Sequence, residues 1–287
     1  MSSSINTNLV SLNAQRNLGT SQMSLAMSMQ RLSSGLRVNS AKDDAAGIAI
    51  AERMTTQIRG MNVAIRNSND GISLAQTAEG ALGKVADSLQ RMRELSVQAA
   101  NATNSASDKD SLDKEFGELS KEIQRVLSGT SFNNKHILGA DFGAQQFQVG
   151  ANTSGDDSIV VTTTQMTADA TLTVVAGTDN TGAGRAVIDN TATAAAISTV
   201  IGNIDTALTT VNSQRATFGA TQSRFESVIS NLQISVENQS GARSRIMDAD
   251  FASETSNLSR ANILQQAGNA MVAQANQLPA QVLALLR

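Results

Sequence analysis

From Ile197 to Ile246 the chain sets a candidate core residue at alternating spacings of four and three, with no slip. The positions are Ile197, Ile201, Ile204, Leu208, Val211, Arg215, Phe218, Gln222, Phe225, Ile229, Leu232, Val236, Gln239, Arg243 and Ile246. This heptad repeat predicts one continuous helix with a single seam. At ~1.5 Å per residue the rod is roughly 75 Å long, longer than a compact domain of this chain length is wide. Such a rod cannot wrap a round core and needs other rods beside it. The expected fold is mainly α: an elongated antiparallel bundle of long, coiled-coil-like helices, suited to a helical polymer. The polar seam members Arg215, Gln222, Gln239 and Arg243 have two readings, snorkelling to solvent or fixing helix register.

The same spacing recurs along the chain. Leu18, Leu25, Met29, Leu32 and Leu36 keep it in a first segment, with Ile5, Leu9 and Leu12 on an offset stripe. Gly35 interrupts, and Ser40 with Asp43 reads as a capping box that starts a second helix. Ile48, Ala51, Thr55, Ile58, Ile65 and Ile72 line that helix, which continues through Ala75, Ala78, Leu82, Val85, Leu89, Met92 and Ala99. A third helix, on Leu112, Phe116, Leu119, Ile123 and Val126, is expected to start at a Ser107–Asp110 cap and close at Gly129. The last segment carries Leu264, Gly268, Met271, Ala275, Leu278, Val282 and Leu285 at strict spacing.

Beyond Thr130 the period changes. Residues 132–137 and 145–150 read as hairpin arms, and Ser158–Thr164 and Thr171–Val175 as Thr- and Val-rich strands. Arg185 is the lone basic residue of 151–195. Three parts follow: residues 1–40 with 250–287 as paired terminal helices, 41–150 with 195–249 as a long-helix bundle with a β-hairpin, and 151–194 as a short exposed β-rich or loop segment. The narrow-striped ends bury too little apolar surface to offset their ordering entropy. They are expected to be helical only when packed against neighbours.

Composition narrows the function. The 287 residues include no Cys, Trp or Tyr, one His, and 2% aromatic residues, whereas enzyme pockets draw on aromatic walls and His chemistry. A disulfide, a thiolate metal site and a Cys nucleophile are excluded, and His136 has no second His to share a metal. No catalytic residue, cofactor or metal is expected. A net charge of -3 gives no electrostatic reason to bind nucleic acid or an anionic membrane. The polar start, Met1 to Asn6, lacks the pattern of a cleaved secretory signal, and no stretch is expected to insert in a membrane.

Three long motifs carry a family resemblance. Arg31-Leu32-Ser33-Ser34-Gly35-Leu36-Arg37-Val38-Asn39-Ser40-Ala41-Lys42-Asp43-Asp44-Ala45-Ala46-Gly47 resembles the N-terminal signature of bacterial flagellin. Leu89 to Gln98 and Ser240 to Ile246 resemble the flagellin core on its outward and return sides. The tail from Ile263 through Ala275-Asn276-Gln277-Leu278-Pro279 to Arg287 is similar to flagellin C-termini. The resemblance covers about residues 1–150 and 195–287.

That resemblance implies a subunit that self-assembles into the extracellular flagellar filament used for swimming. It implies passage through the flagellum's own type III export channel without a cleaved signal. Ile5, Leu9, Leu12, Leu18, Leu25, Met29, Leu32, Leu264, Met271, Leu278, Val282 and Leu285 become the polymerisation seam. Gln90, Arg91, Leu95, Gln98, Glu115, Ile204 and Leu208 match the surface that binds Toll-like receptor 5 of animal hosts. The implied partners are further copies of the chain, the flagellar cap protein, the junction protein, an export chaperone at the C-terminal segment, and that receptor. Two alternatives stand beside this reading. One is a hook–filament junction protein with flagellin-like ends; the other is a filament-displayed hydrolase, against which the missing catalytic constellations count.

Overall fold

The computed structural model describes residues 7–284, with side chains up to residue 277. Ile5 and Leu285 lie outside the described residues, as do the side chains of Leu278 and Val282. In chain order the elements are α1 (Leu9–Ser34), α2 (Ala45–Ala99), α3 (Ala106–Gly129), β1 (Ser131–Phe132), β2 (Lys135–His136), β3 (Gly143–Gln148), β4 (Ser158–Thr163), α4 (Ala170–Ala176), α5 (Ala194–Met247) and α6 (Phe251–Ala284). The fold is mainly α, with long antiparallel helices and a small strand-containing middle. The chain divides into two compact units, residues 59–236 and residues 1–58 with 237–287. That division falls at Ile58 and Val236, within α2 and α5, and not at the predicted 40 and 249.

In the unit spanning 59–236, α2 presents Met61, Ala64, Ser68, Gly71, Ala75, Ala78, Leu82, Val85, Leu89, Met92, Ser96 and Ala99 as an unbroken buried heptad seam. Antiparallel α5 answers with Ile197, Val200, Ile204, Ala207, Val211, Phe218 and Phe225. The order is fixed by Arg93 Nε on Asp205 at 2.7 Å and by Gln222 Nε2 on Glu79 at 3.0 Å. Gly71 has a specific reason to lack a side chain: a Cβ there would lie 2.5 Å from the Phe225 ring. Glycine inside a helix costs about 1 kcal/mol, offset here by the close approach it permits. Phe147 of the β3–β4 hairpin meets Phe225 edge-on, with centroids 5.6 Å apart.

The middle of the chain differs from its predicted exposed character. Ile159, Val161, Met166, Leu172, Val175, Ala176 and Ile188 are all buried in the same core. Thr171–Val175 is not a strand but the body of α4. Asp169 caps it by accepting from the Thr171 N–H at 2.9 Å, and Leu172, Val175 and Ala176 share its inner face. Two buried bonds from α3 then hold it, Ser120 Oγ to Ala176 O and Gln124 Nε2 to Gly177 O. The strongest tie is ionic. Arg185 forms a two-pronged pair with Asp113, whose Oδ1 also accepts the Ile188 N–H at 2.9 Å. Burial works to raise the Asp113 pKa, but Arg185 and the Ile188 N–H outweigh it and hold the carboxyl below its usual 3.8.

Local signals resolve with small shifts. Helix α3 starts from a capping box of Ser105 with Asp108, two residues before the predicted Ser107. Ser40 and Asp43 do pair, Asp43 accepting the Ser40 N–H at 2.9 Å, but α2 begins only at Ala45. Asn133 and Asn134 adopt φ of 47° and 65°, the left-handed conformation of the two-residue turn joining β1 to β2. An 18-residue window within α5 reaches a mean hydropathy of 1.2, enough by composition to cross a membrane, contrary to expectation.

In the other unit α1 and α6 lie antiparallel. Asn8 Nδ2 donates to Ala275 O at 2.7 Å, Ser11 Oγ to Asn276 at 2.7 Å, and Arg31 faces Glu254 at 3.9 Å. Within the single chain the two helices pack on each other. Gly35 ends α1 at φ 71°, and the turn after it pairs with the turn between α5 and α6. Arg37 N–H donates to Met247 O at 2.7 Å and Ala249 N–H to Gly35 O at 2.9 Å.

Candidate assembly and recognition surfaces

The helix pair α1 and α6 meets through Leu18, Leu25, Leu32 and Leu258 set among smaller side chains, and leaves its other large apolar residues outside the contact. On α1 the buried or half-buried positions facing α6 are Ser11, Ala14, Leu18, Ser21, Leu25, Ser28 and Leu32. On α6 they are Glu254, Leu258, Ala261, Gln265, Gly268, Val272 and Ala275. Both sets keep strict heptad spacing. Leu18, Leu25 and Leu32 lie on this intrachain seam, while Leu9, Leu12, Met29, Leu264 and Met271 do not. One residue along a helix is a rotation of about 100°, and these five sit one position or more away from the seam. Leu9 is 70% exposed and Met271 63% exposed.

The displaced side chains form a surface of their own. Leu9, Val10, Leu18, Leu264 and Met271 line a shallow groove of about 560 Å³ along one side of the pair. Its floor is narrow because Gly268 lets Leu18 come close; a Cβ on Gly268 would lie 3.1 Å from Leu18 Cδ1. Met23, Met27 and Ile263 add exposed apolar area elsewhere on the two helices. An exposed apolar area of this kind marks an interaction site.

In residues 59–236, Gln90, Arg91, Gln98 and Glu115 are exposed on α2 and α3. Arg91 Nε donates to Glu115 Oε1 at 2.8 Å and Nη1 to Glu94 Oε2 at 2.9 Å. Glu115 first, then Glu94, raises the Arg91 pKa above its usual value. The pair joins the two helices into one charged patch. Leu95 and Ile204, expected on that surface, are instead core residues, 1% and 0% exposed. Leu208 is half-buried against the same core. These three support the patch from beneath. The seam position of Ile204 already signalled this.

Sequence reasoning missed two polar sites. The Asp113–Arg185 pair had one visible signal, the solitary cation of residues 151–195. The second is Glu79, which accepts from Gln222 and faces Arg215 at 4.0 Å, so two of the four polar seam residues of α5 turn to one carboxylate. That favours the register reading for Arg215 and Gln222. Arg243 reaches Thr55 Oγ1 at 3.5 Å, at the limit of a hydrogen bond. Among the described residues no group of three or more His, Cys, Asp or Glu is placed to hold a metal.

The profile of the bacterial flagellin N-terminal helical region matches residues 5–142, and that of the C-terminal helical region matches residues 201–286. A flagellin of Halalkalibacterium halodurans is 46% identical over 283 residues, covering 99% of each chain. The chain belongs to the bacterial flagellin family. Other flagellins agree: that of Bacillus subtilis is 42% identical over 305 residues, covering 99% of each chain, and flagellin A of Vibrio cholerae is 35% identical over 382 residues, covering all of both. Neither flagellin profile reaches residues 143–200, the stretch that contributes α4 and Arg185. Flagellin is a structural protein, the subunit that polymerises into the flagellar filament outside the cell and serves motility. This flagellin carries an exposed apolar surface on α1 and α6 suited to that task.

Proposed function

We propose that residues 1–40 and 250–287 form the inner tube of the filament, that residues 41–150 and 195–249 form its outer wall, and that residues 151–194 face outward from it. The observation carrying this reading is the exposure of Leu9, Leu12, Met29, Leu264 and Met271 on a helix pair whose own seam leaves these large side chains out. Large apolar side chains left in water on two paired helices are satisfied by a neighbouring copy. Head-to-tail contacts that do not close on themselves give an open helical fibre. The role is mechanical, with no catalytic step. Export proceeds through the flagellar channel without a cleaved signal, with a chaperone covering the C-terminal segment beforehand. The cap and junction proteins meet the same terminal helices at the ends of the fibre.

In the same reading the free subunit is recognised by Toll-like receptor 5 through Gln90, Arg91, Gln98 and Glu115, with Leu95, Ile204 and Leu208 holding the patch in shape. Arg91 supplies the central cation, and a central interface Arg contributes about 2 kcal/mol or more. Arg91→Ala in the free subunit is expected to weaken receptor signalling at least about tenfold while helicity is unchanged. An unchanged dose–response curve removes the site from this account. For the assembly reading, purified subunit is expected to grow long filaments by itself, which a junction protein does not do. Protease is expected to cut within α1 and α6 in the free subunit and to spare them in the filament; equal resistance in both states overturns the inner-tube assignment.

A further inference from the structure

The methionines are sorted by exposure in a way the heptad pattern does not require. Met61, Met92 and Met166 are buried in cores. Among the described residues the strongly exposed ones, Met23 at 66%, Met27 at 47%, Met29 at 58% and Met271 at 63%, all lie on α1 and α6. Met23 and Met27 are four residues apart and share one face of α1, while Met271 lines the groove between α1 and α6. We propose that these four methionines are an oxidation site that controls entry of the subunit into the filament, a proposal that rests on the terminal pair being the assembly surface. Hydrogen peroxide reacts with an exposed thioether by transferring one oxygen to sulfur. The O–O bond breaks, sulfur is oxidised by two electrons to the sulfoxide, and water leaves. The product is polar and chiral in place of a flexible apolar group. In the free subunit the sulfoxide oxygen is hydrated at no cost to α1 or α6, because it points to water. In a subunit contact it must lose that water without a matching donor, so assembly and not folding suffers. A sulfoxide reductase using thiol as reductant restores the thioether and with it the surface.

The test treats full-length free subunit with graded hydrogen peroxide, maps sulfoxides by peptide mass spectrometry, and follows seeded filament growth by light scattering. Sulfoxide is expected at Met23, Met27, Met29 and Met271 before Met61, Met92 or Met166, with far-ultraviolet circular dichroism unchanged. Growth is expected to slow by about tenfold or more and to recover after sulfoxide reductase treatment. The variant M23L/M27L/M29L/M271L, compared only with its own untreated growth rate, is expected to lose none of that rate on peroxide treatment; if it does not assemble at all, reductase recovery of the wild-type subunit decides. Growth at the untreated rate by subunits oxidised at all four positions overturns the proposal, as does oxidation of the core methionines first. Normal growth of unoxidised Met271→Asp would instead overturn the assignment of the assembly surface itself.

Discussion

The bundle of residues 59–236 and the terminal pair α1 and α6 use one repeat for opposite ends. In the bundle the seam collects Leu82, Leu89, Met92, Ile197, Ile204, Val211 and Phe218, all buried, with only the small hydroxyls of Ser68 and Ser96 among them on α2. In the terminal pair the seam collects Ser11, Ser21, Ser28, Ala261 and Gly268, and Leu9, Met23, Leu264 and Met271 stand in water. A heptad thus states where a helix has a face, but not whether that face is the one turned inward. The bundle spends its large side chains on its own stability. The terminal pair leaves them exposed.

The sharpest way to break this contrast is Met271→Asp. A carboxylate there is hydrated in the free subunit and unpaired in a subunit contact, so filament formation is expected to vanish in sedimentation assays while the thermal midpoint of the subunit holds. Next in size is Phe218→Ala, which empties a fully buried site in the bundle. It is expected to cost about 3–5 kcal/mol in denaturant unfolding. Asp113→Asn probes the tie between α3 and the chain around Arg185, and about 2 kcal/mol is expected to be lost at neutral pH, because Arg185 loses its charged partner. The sign with pH follows from the depressed Asp113 pKa: its contribution is complete above the usual 3.8 and fades as pH falls through the lower folded value. The gap between wild type and variant should therefore be constant from neutral pH down to mild acid and close only below that value. Smallest of all, Leu264→Ala is expected to move subunit stability by no more than about 0.5 kcal/mol, since the side chain already faces water. A Leu264→Ala loss as large as that of Phe218→Ala would erase the distinction between the two regions.

The five long helices and their order were legible in the sequence, and so was the family, because 55- and 54-residue helices leave an unmistakable period. Helix rotation was less so. Reading by apolar size selects Ile72, Ile201, Leu208, Met29 and Met271. The structure instead seats their neighbours Gly71, Val200, Ala207, Ser28 and Val272 on or nearest the seam. In each pair the smaller residue lets the helices close up, and the larger one flanks the contact or turns to water. Propensity misled at Thr171–Val175, where β-branched residues suggest a strand but the Asp169 cap and the inward face of Leu172, Val175 and Ala176 prevail. The cap of α3 was ambiguous because Ser105 and Ser107 are each followed three residues on by Asp. Of the residues matched to the receptor surface, Gln90, Arg91, Gln98 and Glu115 are exposed, while Leu95 and Ile204 are buried, a difference that a matching motif does not carry. The buried middle was hidden for a different reason: Met166, Leu172 and Ile188 are scattered in a Thr- and Gly-rich stretch, and only tertiary packing gathers them.

The pairing of α1 with α6 joins residues as far apart as Asn8 and Ala275, a separation of 267. Contacts of such long range close late, because the loop between them must first be brought together. A chain emerging at about 5–20 residues per second lacks its final helix for on the order of ten seconds or more. Throughout that interval α1 has no α6 to lie against, and the groove lined by Leu18 and Met271 does not exist. The terminal pair is therefore the last part to be finished, and under the assembly proposed for it a half-made subunit offers its neighbours nothing shaped to hold.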